Sequence, residues 1–327
     1  MTMTVLFYVL VSDGTPLAIA LVIAGAWALI PAGRRRVSRL VVRPVTGGSP
    51  SVAASGVILG AAALIMAFSA PIQFALSRSG LVASPAFEYT WWEYAPVLLL
   101  ACAALAVTLL VLTLGRRKPE VPVPPLAPRS WRTYLDFRQL RIPGVALAGV
   151  ILLVAFAGSI SSQDDEGRYR WLVVESGGEN RAATTFFGWA YGLPVLAGCV
   201  VLGVLAFCVL SANAARPFQR PESVPADEGS RRAISLRTIW VVSGALLLTL
   251  GRSVSRVAGS ALMTTSNSGH SWGTDIAALA PWLSWVAGFL TVTAYILLLL
   301  VVGTTRFRPA PPLRVEEAQA ESDPARR

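Results

Sequence analysis

The sequence predicts an all-α fold, a polytopic integral membrane bundle of about seven transmembrane helices arranged as a first anchor and three helical hairpins. Composition is the first observation behind this prediction, because 54% of the 327 residues are hydrophobic and only 14% are charged. The mean hydropathy is +0.59, whereas soluble domains carry about 25% charged residues. The second observation is a series of seven apolar runs, each close to the roughly 20 residues that a helix needs to cross a bilayer.

The seven runs place residues 1–303 in a single transmembrane domain. The first run is the weakest, because Ser12, Asp13 and Pro16 interrupt its N-terminal end. Residues 304–327 are polar and contain prolines, which is typical of a disordered cytoplasmic tail. The predicted spans cover about 11–32, 53–76, 95–114, 143–161, 187–210, 238–261 and 282–303.

The distribution of charge predicts the orientation. The net charge is +10, and 22 of the 28 Lys and Arg residues follow the first, third, fifth and seventh spans. Cytoplasmic connections carry such an excess, so the C-terminus is predicted to be cytoplasmic and the N-terminus to lie outside. No Lys or Arg precedes Arg34, so the first span is predicted to be an uncleaved anchor. The basic residues are 27 Arg and one Lys, which favours a bacterial source and hence the bacterial plasma membrane.

The same charges identify the predicted partners. Every basic cluster adjoins a span, which indicates attraction to anionic lipid of the bilayer and argues against binding of nucleic acid. The three cysteines, Cys102, Cys199 and Cys208, all lie in spans, and with a single histidine they cannot form a zinc cluster. The chain also lacks phosphate-binding glycine motifs, so no cofactor is predicted.

The descending helices of the hairpins begin alike. Residues 91–107 and 187–204 share W-x-Y-[AG] followed by Pro-Val-Leu. Proline suits the first turn of a helix, and Trp and Tyr suit the level of the lipid headgroups. Duplication and a shared response to the interface both explain the likeness.

Small residues at intervals of four predict close contacts between helices. Gly56 and Gly60 form such a pair in the second span, and Ser255 and Gly259 form one in the sixth. Small side chains let helix backbones approach each other in lipid. These faces favour an intramolecular bundle at least as much as association of several chains.

The segments predicted to be cytoplasmic look like connections. Residues 119–128, PEVPVPPLAP, are proline-rich and predicted to be extended. Residues 130–141, SWRTYLDFRQLR, predict a short helix capped by Ser130, with aromatic residues set among arginines. That composition is typical of a helix in the plane of the interface. The alternative is a docking element for a cytoplasmic partner subunit.

Two motifs in the outer loops suggest chemistry that their context does not favour. GHSWG, 269–273, matches the nucleophile elbow G-x-S-x-G around Ser271, but it lies in a short loop between spans, and an elbow joins a strand to a helix. His270, the only histidine, occupies the variable position of the motif and cannot serve as the separate base. SQDDEG, 162–167, offers carboxylates for a divalent cation but lacks the alternation of a calcium loop, so a solvated loop is favoured. The following RYRWLVVE, 168–175, predicts a short strand.

The candidate binding site lies in the sixth span, where LTLGRSVSR contains Arg252 and Arg256. Arg252 is about 22 Å of helix beyond Arg237, which marks the inner surface, and Arg256 about 28 Å. Arg256 thus reaches the outer boundary of a core about 30 Å thick, but Arg252 does not. Because helix side chains lean toward the N-terminus, Arg252 leans away from the nearer surface and needs a partner. Thr249 and Ser253 extend the polar stripe.

Two acids could meet these arginines. Asp13 and Glu93 are the carboxylates nearest the hydrocarbon core, and both are predicted at its outer boundary. One interpretation is a structural ion pair between Arg252 and either acid. Another is an outward-facing basic pocket that holds an anion, lipid phosphate or carboxylate, which Arg recognises with two parallel hydrogen bonds. The third is peripheral snorkelling of the arginines.

Three classes of function remain. A transport-related, permease-like membrane subunit fits the hairpins and the basic pocket and is the preferred hypothesis. A non-catalytic scaffold or sensor that docks partners through its basic cytoplasmic loops is the alternative. A membrane enzyme acting on lipid-linked substrates fits least, because no acid, base and metal constellation converges. We therefore predict that the protein is not an enzyme.

Overall fold

Seven α-helices run through the part of the chain that the computed structural model describes, and together they form an all-α polytopic bundle. Six of them are long and apolar enough to cross a bilayer, whereas the first has 16 residues. The described residues are 14–29, 50–78, 94–115, 130–175, 181–218, 224–267 and 270–305. The helices are α1 (Gly14–Leu29), α2 (Pro50–Arg78), α3 (Pro96–Leu114), α4 (Arg141–Ile160), α5 (Trp189–Ala214), α6 (Val224–Ala261) and α7 (Ala280–Thr304).

Successive helices run in opposite directions. Gly115, at the end of α3, lies against Ser51 in the first turn of α2. Arg237, near the start of α6, donates to the carbonyl of Thr304 at the end of α7. The bundle therefore has two distinct ends. We call them the basic end, where α6 begins, and the hairpin end, where α6 finishes.

Short antiparallel strands cover the hairpin end. The connection from α4 to α5 forms a three-stranded sheet in the order β1-β2-β3, and the connection from α6 to α7 forms a two-stranded sheet. The register pairs Trp171 with Thr185 in the first sheet and Thr265 with Trp272 in the second. The strand predicted at 168–175 is confirmed. The strands are β1 (Ser162–Gln163), β2 (Tyr169–Glu175), β3 (Arg181–Thr185), β4 (Thr264–Asn267) and β5 (His270–Gly273).

Helix α6 occupies the centre of the bundle. It contacts α2, α3, α4, α5 and α7. In its most apolar stretch 78% is buried, compared with 33–44% in the corresponding stretches of the other five long helices. Every residue from 241 to 251 is buried. Glycine permits a close approach to α7, because a Cβ at Gly244 would lie 2.7 Å from Leu298 and one at Gly251 would lie 2.8 Å from Thr291. Such close packing replaces the hydrophobic effect as the force that holds helices together in lipid.

One of the predicted small-residue faces packs and the other does not. A Cβ at Gly56 would lie 2.9 Å from Arg237, and one at Gly60 would lie 2.8 Å from Thr305, so this face meets α6 and the end of α7. Gly259 is exposed, and a Cβ there would meet no atom of the described residues within 4 Å. Within the described part of the chain, the predicted face of Ser255 and Gly259 therefore makes no close contact between helices at Gly259.

Helix α6 also begins earlier than its predicted start at residue 238. It spans Val224–Ala261, 38 residues or about 57 Å, which is nearly twice the thickness of a hydrocarbon core. Residues 224–237, predicted to be part of a connection, are therefore the first turns of the central helix. They extend it beyond the basic end of its neighbours.

The segment 130–141 does not form the predicted helix. It consists of two short 3-10 turns, Trp131–Thr133 and Phe137–Leu140, and then enters α4. Ser130 makes no side-chain cap; the second turn is capped instead by Asp136, whose side chain accepts from the amide of Arg138 at 3.1 Å. The helical prediction failed because Asp136 is extended and caps a second turn, which divides the segment between two 3-10 turns.

The same segment packs on the bundle. Leu135 is buried against Leu210 of α5 and Ile239 of α6, whereas Phe137 is 77% exposed. The segment 130–141 is thus tied to the basic end by one face. Residues 119–128 and the tail beyond residue 305 lie outside the described residues.

Candidate functional site

The arginines singled out by the sequence lie on α6 near the hairpin end. Arg252 is half-buried, and Arg256, one turn later, is exposed. The Nη2 atom of Arg252 lies 3.5 Å from Ser69 Oγ on α2. That hydroxyl donates in turn to the carbonyl of Met66 at 2.9 Å. Arg252 therefore lies between α6 and α2, and Arg256 reaches the surface of the bundle.

Two hydroxyl groups accompany Arg252 inside the bundle. Thr249 is 1% exposed and Ser253 is 2% exposed. Neither hydroxyl has a hydrogen-bond partner among the described residues. A buried polar group without a partner costs about 1–3 kcal/mol, so this turn of α6 carries polar groups that the packing of the helix does not explain.

Asp13 and Glu93, the two acids proposed as partners of Arg252, both lie outside the described residues. The predicted ion pair with either acid therefore stays a prediction. The residue after Glu93 is described. Tyr94 is 5% exposed, and its ring centroid lies 5.1 Å from that of Phe187 and 4.6 Å from that of Tyr191. The start of α3 is thus anchored by aromatic contacts to the start of α5 at the hairpin end.

A buried carboxylate organises the three-stranded sheet. Asp164 Oδ1 accepts hydrogen bonds from the amides of Glu166 at 2.9 Å and Arg168 at 2.7 Å. Its Oδ2 accepts from Arg168 Nε at 3.1 Å and forms an ion pair with Arg170. Gly167 supplies the turn between them with a φ of 77°, a conformation that favours glycine. Asp164 is therefore the centre of the β1–β2 turn.

These contacts also decide the protonation of that carboxyl group. Burial raises the pKa of Asp164, but the hydrogen bonds from Arg168 and Glu166 and the charge of Arg170 lower it further, to about 2. The carboxylate is ionised and fully occupied by its own loop, which disfavours a cation site at SQDDEG. No cluster of three or more His, Cys, Asp or Glu that could hold a metal ion occurs within the described part of the chain.

Residues His270–Gly273 of the GHSWG motif form β5 of the two-stranded sheet. Ser271 is exposed on β5 and pairs with Ser266 on β4. This is a strand-to-strand hairpin and not the strand-to-helix turn of a nucleophile elbow. The predicted location between the sixth and seventh helices is confirmed, but the segment was predicted to be a short loop and forms a strand that pairs with β4.

The most deeply buried charge of the described residues lies at the basic end, where the sequence did not predict a site. Arg231 is 0% exposed. Its Nη2 donates to Asp227 Oδ2 at 2.6 Å and to the carbonyl of Arg216 at 2.7 Å, and its Nη1 donates to the carbonyl of Ala214 at 2.7 Å. Its guanidinium also stacks over Phe218 at 4.6 Å. Arg231 thus satisfies carbonyls that the end of α5 leaves unpaired.

A second arginine shares the same carboxylate. The Nη2 of Arg216 lies 3.7 Å from Asp227 Oδ1, and the Arg216 side chain is only 8% exposed. Burial lowers the pKa of Arg216 to about 10, which leaves the guanidinium charged near neutral pH. Asn213 donates to the carbonyl of Arg231 at 2.9 Å and to Ser235 Oγ at 3.0 Å. The basic cluster, as we call Asn213, Arg216, Asp227 and Arg231, therefore joins α5 to α6.

The sequence did contain a signal for the basic cluster. Asp227 and Arg231 are four residues apart, the spacing of an ion pair on one helical face. The signal was missed because 224–237 was taken as a connection, in which such a spacing has no meaning.

The fold and these polar clusters define a class, a multi-span helical membrane protein whose central helix carries buried polar groups at both ends. Comparisons with protein families, with curated proteins and with solved structures find no match to the chain. Function must therefore be inferred from the chain's own geometry.

Proposed function

We propose that the protein is a transport-related, permease-like membrane subunit of the bacterial plasma membrane that binds an anion at the hairpin end of α6. The observation that carries this proposal is the polar turn around Arg252. Half-buried Arg252 lies within one helical turn of Thr249 and Ser253, two buried residues whose hydroxyls lack partners among the described residues. Arg256, exposed one turn closer to the end of the helix, adds a second positive charge at the entrance.

The chemistry of these groups suits an anion with several oxygens. A guanidinium offers a planar set of donors that matches carboxylate and phosphate, and hydroxyls can donate to the remaining oxygens. The low polarity around α6 strengthens each of these contacts, since an ionic hydrogen bond is stronger where water is excluded. With the predicted orientation, this site opens to the outside.

Binding of anions to the purified chain tests the proposal. Inorganic phosphate, succinate and phosphatidylglycerol serve as probes, with isothermal titration and thermal unfolding in mild detergent as readouts. We expect at least one probe to bind, and Arg252→Gln to weaken its binding roughly tenfold to hundredfold, because ionic hydrogen bonds contribute about 1.5–3 kcal/mol. Arg232→Gln is the matched control, since Arg232 is an exposed arginine at the opposite end of α6.

Two results would overturn the proposal: no probe binds the wild-type protein, or Arg252→Gln binds as tightly as wild type. A double charge reversal separates anion binding from an internal ion pair. If Arg252→Glu is rescued in stability by Asp13→Lys or Glu93→Lys, the arginine serves an ion pair. Uptake of the bound anion into proteoliposomes then tests transport itself.

A scaffold or sensor is the second candidate, and one observation favours it. The middle of α6, residues 241–251, is entirely buried, and its polar side chains are Ser243 and Thr249. Ser243 donates to the carbonyl of Ile239 within its own helix at 2.7 Å. A centre packed in this way suits a rigid support. Recovery of a nucleotide-hydrolysing subunit with the protein in mild detergent would favour transport, and recovery of other partners without one would favour the scaffold.

A further inference from the structure

The segment 130–141 has a buried side and an exposed side at the basic end. On the buried side, Tyr134 is 7% exposed and Leu135 is 8% exposed, and the Cζ atom of Arg231 lies 5.8 Å from the centroid of the Tyr134 ring. On the exposed side, 77% of Phe137 is accessible. Single exposed apolar side chains are common, so the surroundings of Phe137 decide what it contacts.

The backbone around Phe137 is fixed by a capped turn. Asp136 Oδ1 accepts a hydrogen bond from the amide of Arg138 at 3.1 Å, and Gln139 Oε1 accepts one from the amide of Asp136 at 3.2 Å. These two reciprocal bonds form a capping box, which satisfies amides in the first turn of a helix. The turn Phe137–Leu140 then leads directly into α4. The exposure of Phe137 therefore follows from a hydrogen-bonded backbone.

Phe137 is also the first residue of a stretch that is long and apolar enough to cross a bilayer, Phe137–Ile160. Within this stretch Val145 is 72% exposed and Leu152 is 69% exposed. They are seven residues apart, about two helical turns, so they lie on the same side of α4. In a membrane bundle such a side faces lipid. Phe137 therefore lies where the lipid-facing part of α4 begins, at the boundary between hydrocarbon and headgroups.

The same segment carries an excess of positive charge. Arg132, Arg138 and Arg141 are all exposed, and none of them forms an ion pair with another residue in the described part of the chain. Asp136 is the one acid among residues 130–141, and its carboxylate caps the turn. The exposed side of the segment thus combines an aromatic ring with three guanidinium groups, which suits a surface that is apolar below and anionic above.

We propose that Phe137, Arg132, Arg138 and Arg141 form a contact surface for anionic phospholipid in the leaflet at the basic end. The ring of Phe137 enters the upper part of the acyl chains, and the arginines bind the phosphates, which their planar donors match. A protein docked on Phe137 would have to displace the lipid beside α4. This surface is separate from the anion site at the hairpin end. With the predicted orientation, it belongs to the cytoplasmic leaflet.

Spin labelling of the full chain in phosphatidylglycerol nanodiscs tests the depth of Phe137. In a cysteine-free background, Phe137→Cys carries the label, and its collisions with oxygen are compared with those with a water-soluble nickel chelate. We expect oxygen to dominate, because oxygen concentrates in lipid. Arg232→Cys is the matched control, an exposed position at the same end of the bundle, and there the chelate should dominate. Equal access of the chelate to both labels would overturn the proposal and favour a docking surface for a protein partner.

Lipid selectivity tests the arginines. Native mass spectrometry follows purification from nanodiscs with equal amounts of phosphatidylglycerol and phosphatidylcholine. Arg138→Gln and Arg141→Gln should each lower the preference for phosphatidylglycerol about fivefold, the factor that one basic residue contributes near an anionic lipid surface. Arg232→Gln should leave the preference unchanged. The capped turn survives Arg138→Gln, because the backbone amide makes the contact with Asp136. The proposal is wrong if Arg138→Gln and Arg141→Gln keep the preference shown by Arg232→Gln.

Discussion

Single charged residues hold the hairpin end together, and Asp164 is the clearest case. Its carboxylate is bound by two backbone amides and two arginines within seven residues of chain. Such contacts favour the ionised form, so the folded loop binds protons less readily than the unfolded one. The stability of the loop therefore depends on pH in a direction that follows from the depressed pKa.

We predict that the three-stranded sheet loses stability as the pH falls from about 4 to about 2. The pKa of Asp164 is lowered from 3.8 to about 2, so its contribution is present above the unfolded value and is lost as the folded carboxylate is protonated. Cleavage by pepsin within 162–188 should rise over this range in the wild-type protein.

Two variants make this test specific. Asp164→Asn should be cleaved faster than wild type near pH 4 and should show little further change at lower pH, because the ionised group has been removed. Asp165→Asn, which changes an exposed neighbour, should follow the wild-type curve. The cleavage of the wild-type protein is measured relative to that of Asp164→Asn. If this ratio does not change with pH, the assigned role of the Asp164 carboxylate is wrong.

At the scale of elements, the contact between α6 and α7 depends on glycine. Gly244 and Gly251 lie two turns apart on α6, and both face α7. Gly244 faces Leu298, and Gly251 faces Thr291 and the backbone of α7. In lipid, such contacts depend on how closely the two helix axes approach each other. A single added methyl group is therefore enough to push the two helices apart. The same helix provides an internal control, because a Cβ at Gly259 would meet none of the described residues within 4 Å.

We predict opposite effects for two alanine substitutions in α6. Gly244→Ala should lower the free energy of unfolding by about 1–3 kcal/mol, because its Cβ would lie 2.7 Å from Leu298 in a packed core. Gly259→Ala should raise it by about 0.5–1 kcal/mol, because alanine favours the helix and its Cβ would meet no atom in the described part of the chain. Reversible unfolding in mixed micelles measures both. Equal effects of the two substitutions would show that this contact does not depend on the size of residue 244.

At the scale of the whole molecule, the two ends differ in charge and in structure, and this difference predicts the orientation. In a cysteine-free background, Ser271→Cys places a thiol at the hairpin end and Arg232→Cys places one at the basic end; both positions are exposed. A membrane-impermeant maleimide applied to intact cells should label the thiol at the hairpin end. It should label the thiol at the basic end only after the cells are lysed. The reverse pattern would show that the basic end lies outside.

The sequence predicted the six long helices well, because length and hydropathy are local properties of the chain. It placed Arg252 on a polar stripe for the same reason, since helical spacing is local. It did not predict the extension of α6, because residues 224–237 mix charged and apolar residues as a solvated loop also does. The contacts of Arg231 with Ala214 and Arg216 cross from one helix to another, and a pairing of that kind depends on how helices are arranged in space.

The position of α6 has a consequence for assembly during synthesis. Chains fold from the N-terminus as they emerge, yet the helix that fills the centre is the sixth of the seven described. Helices α2 to α5 must enter the membrane before their common neighbour exists, with the faces that will contact it still covered by lipid or by insertion machinery. The bundle therefore closes late: Arg231 reaches the end of α5 when α6 arrives, and Arg237 meets the end of α7 only after that last helix has followed.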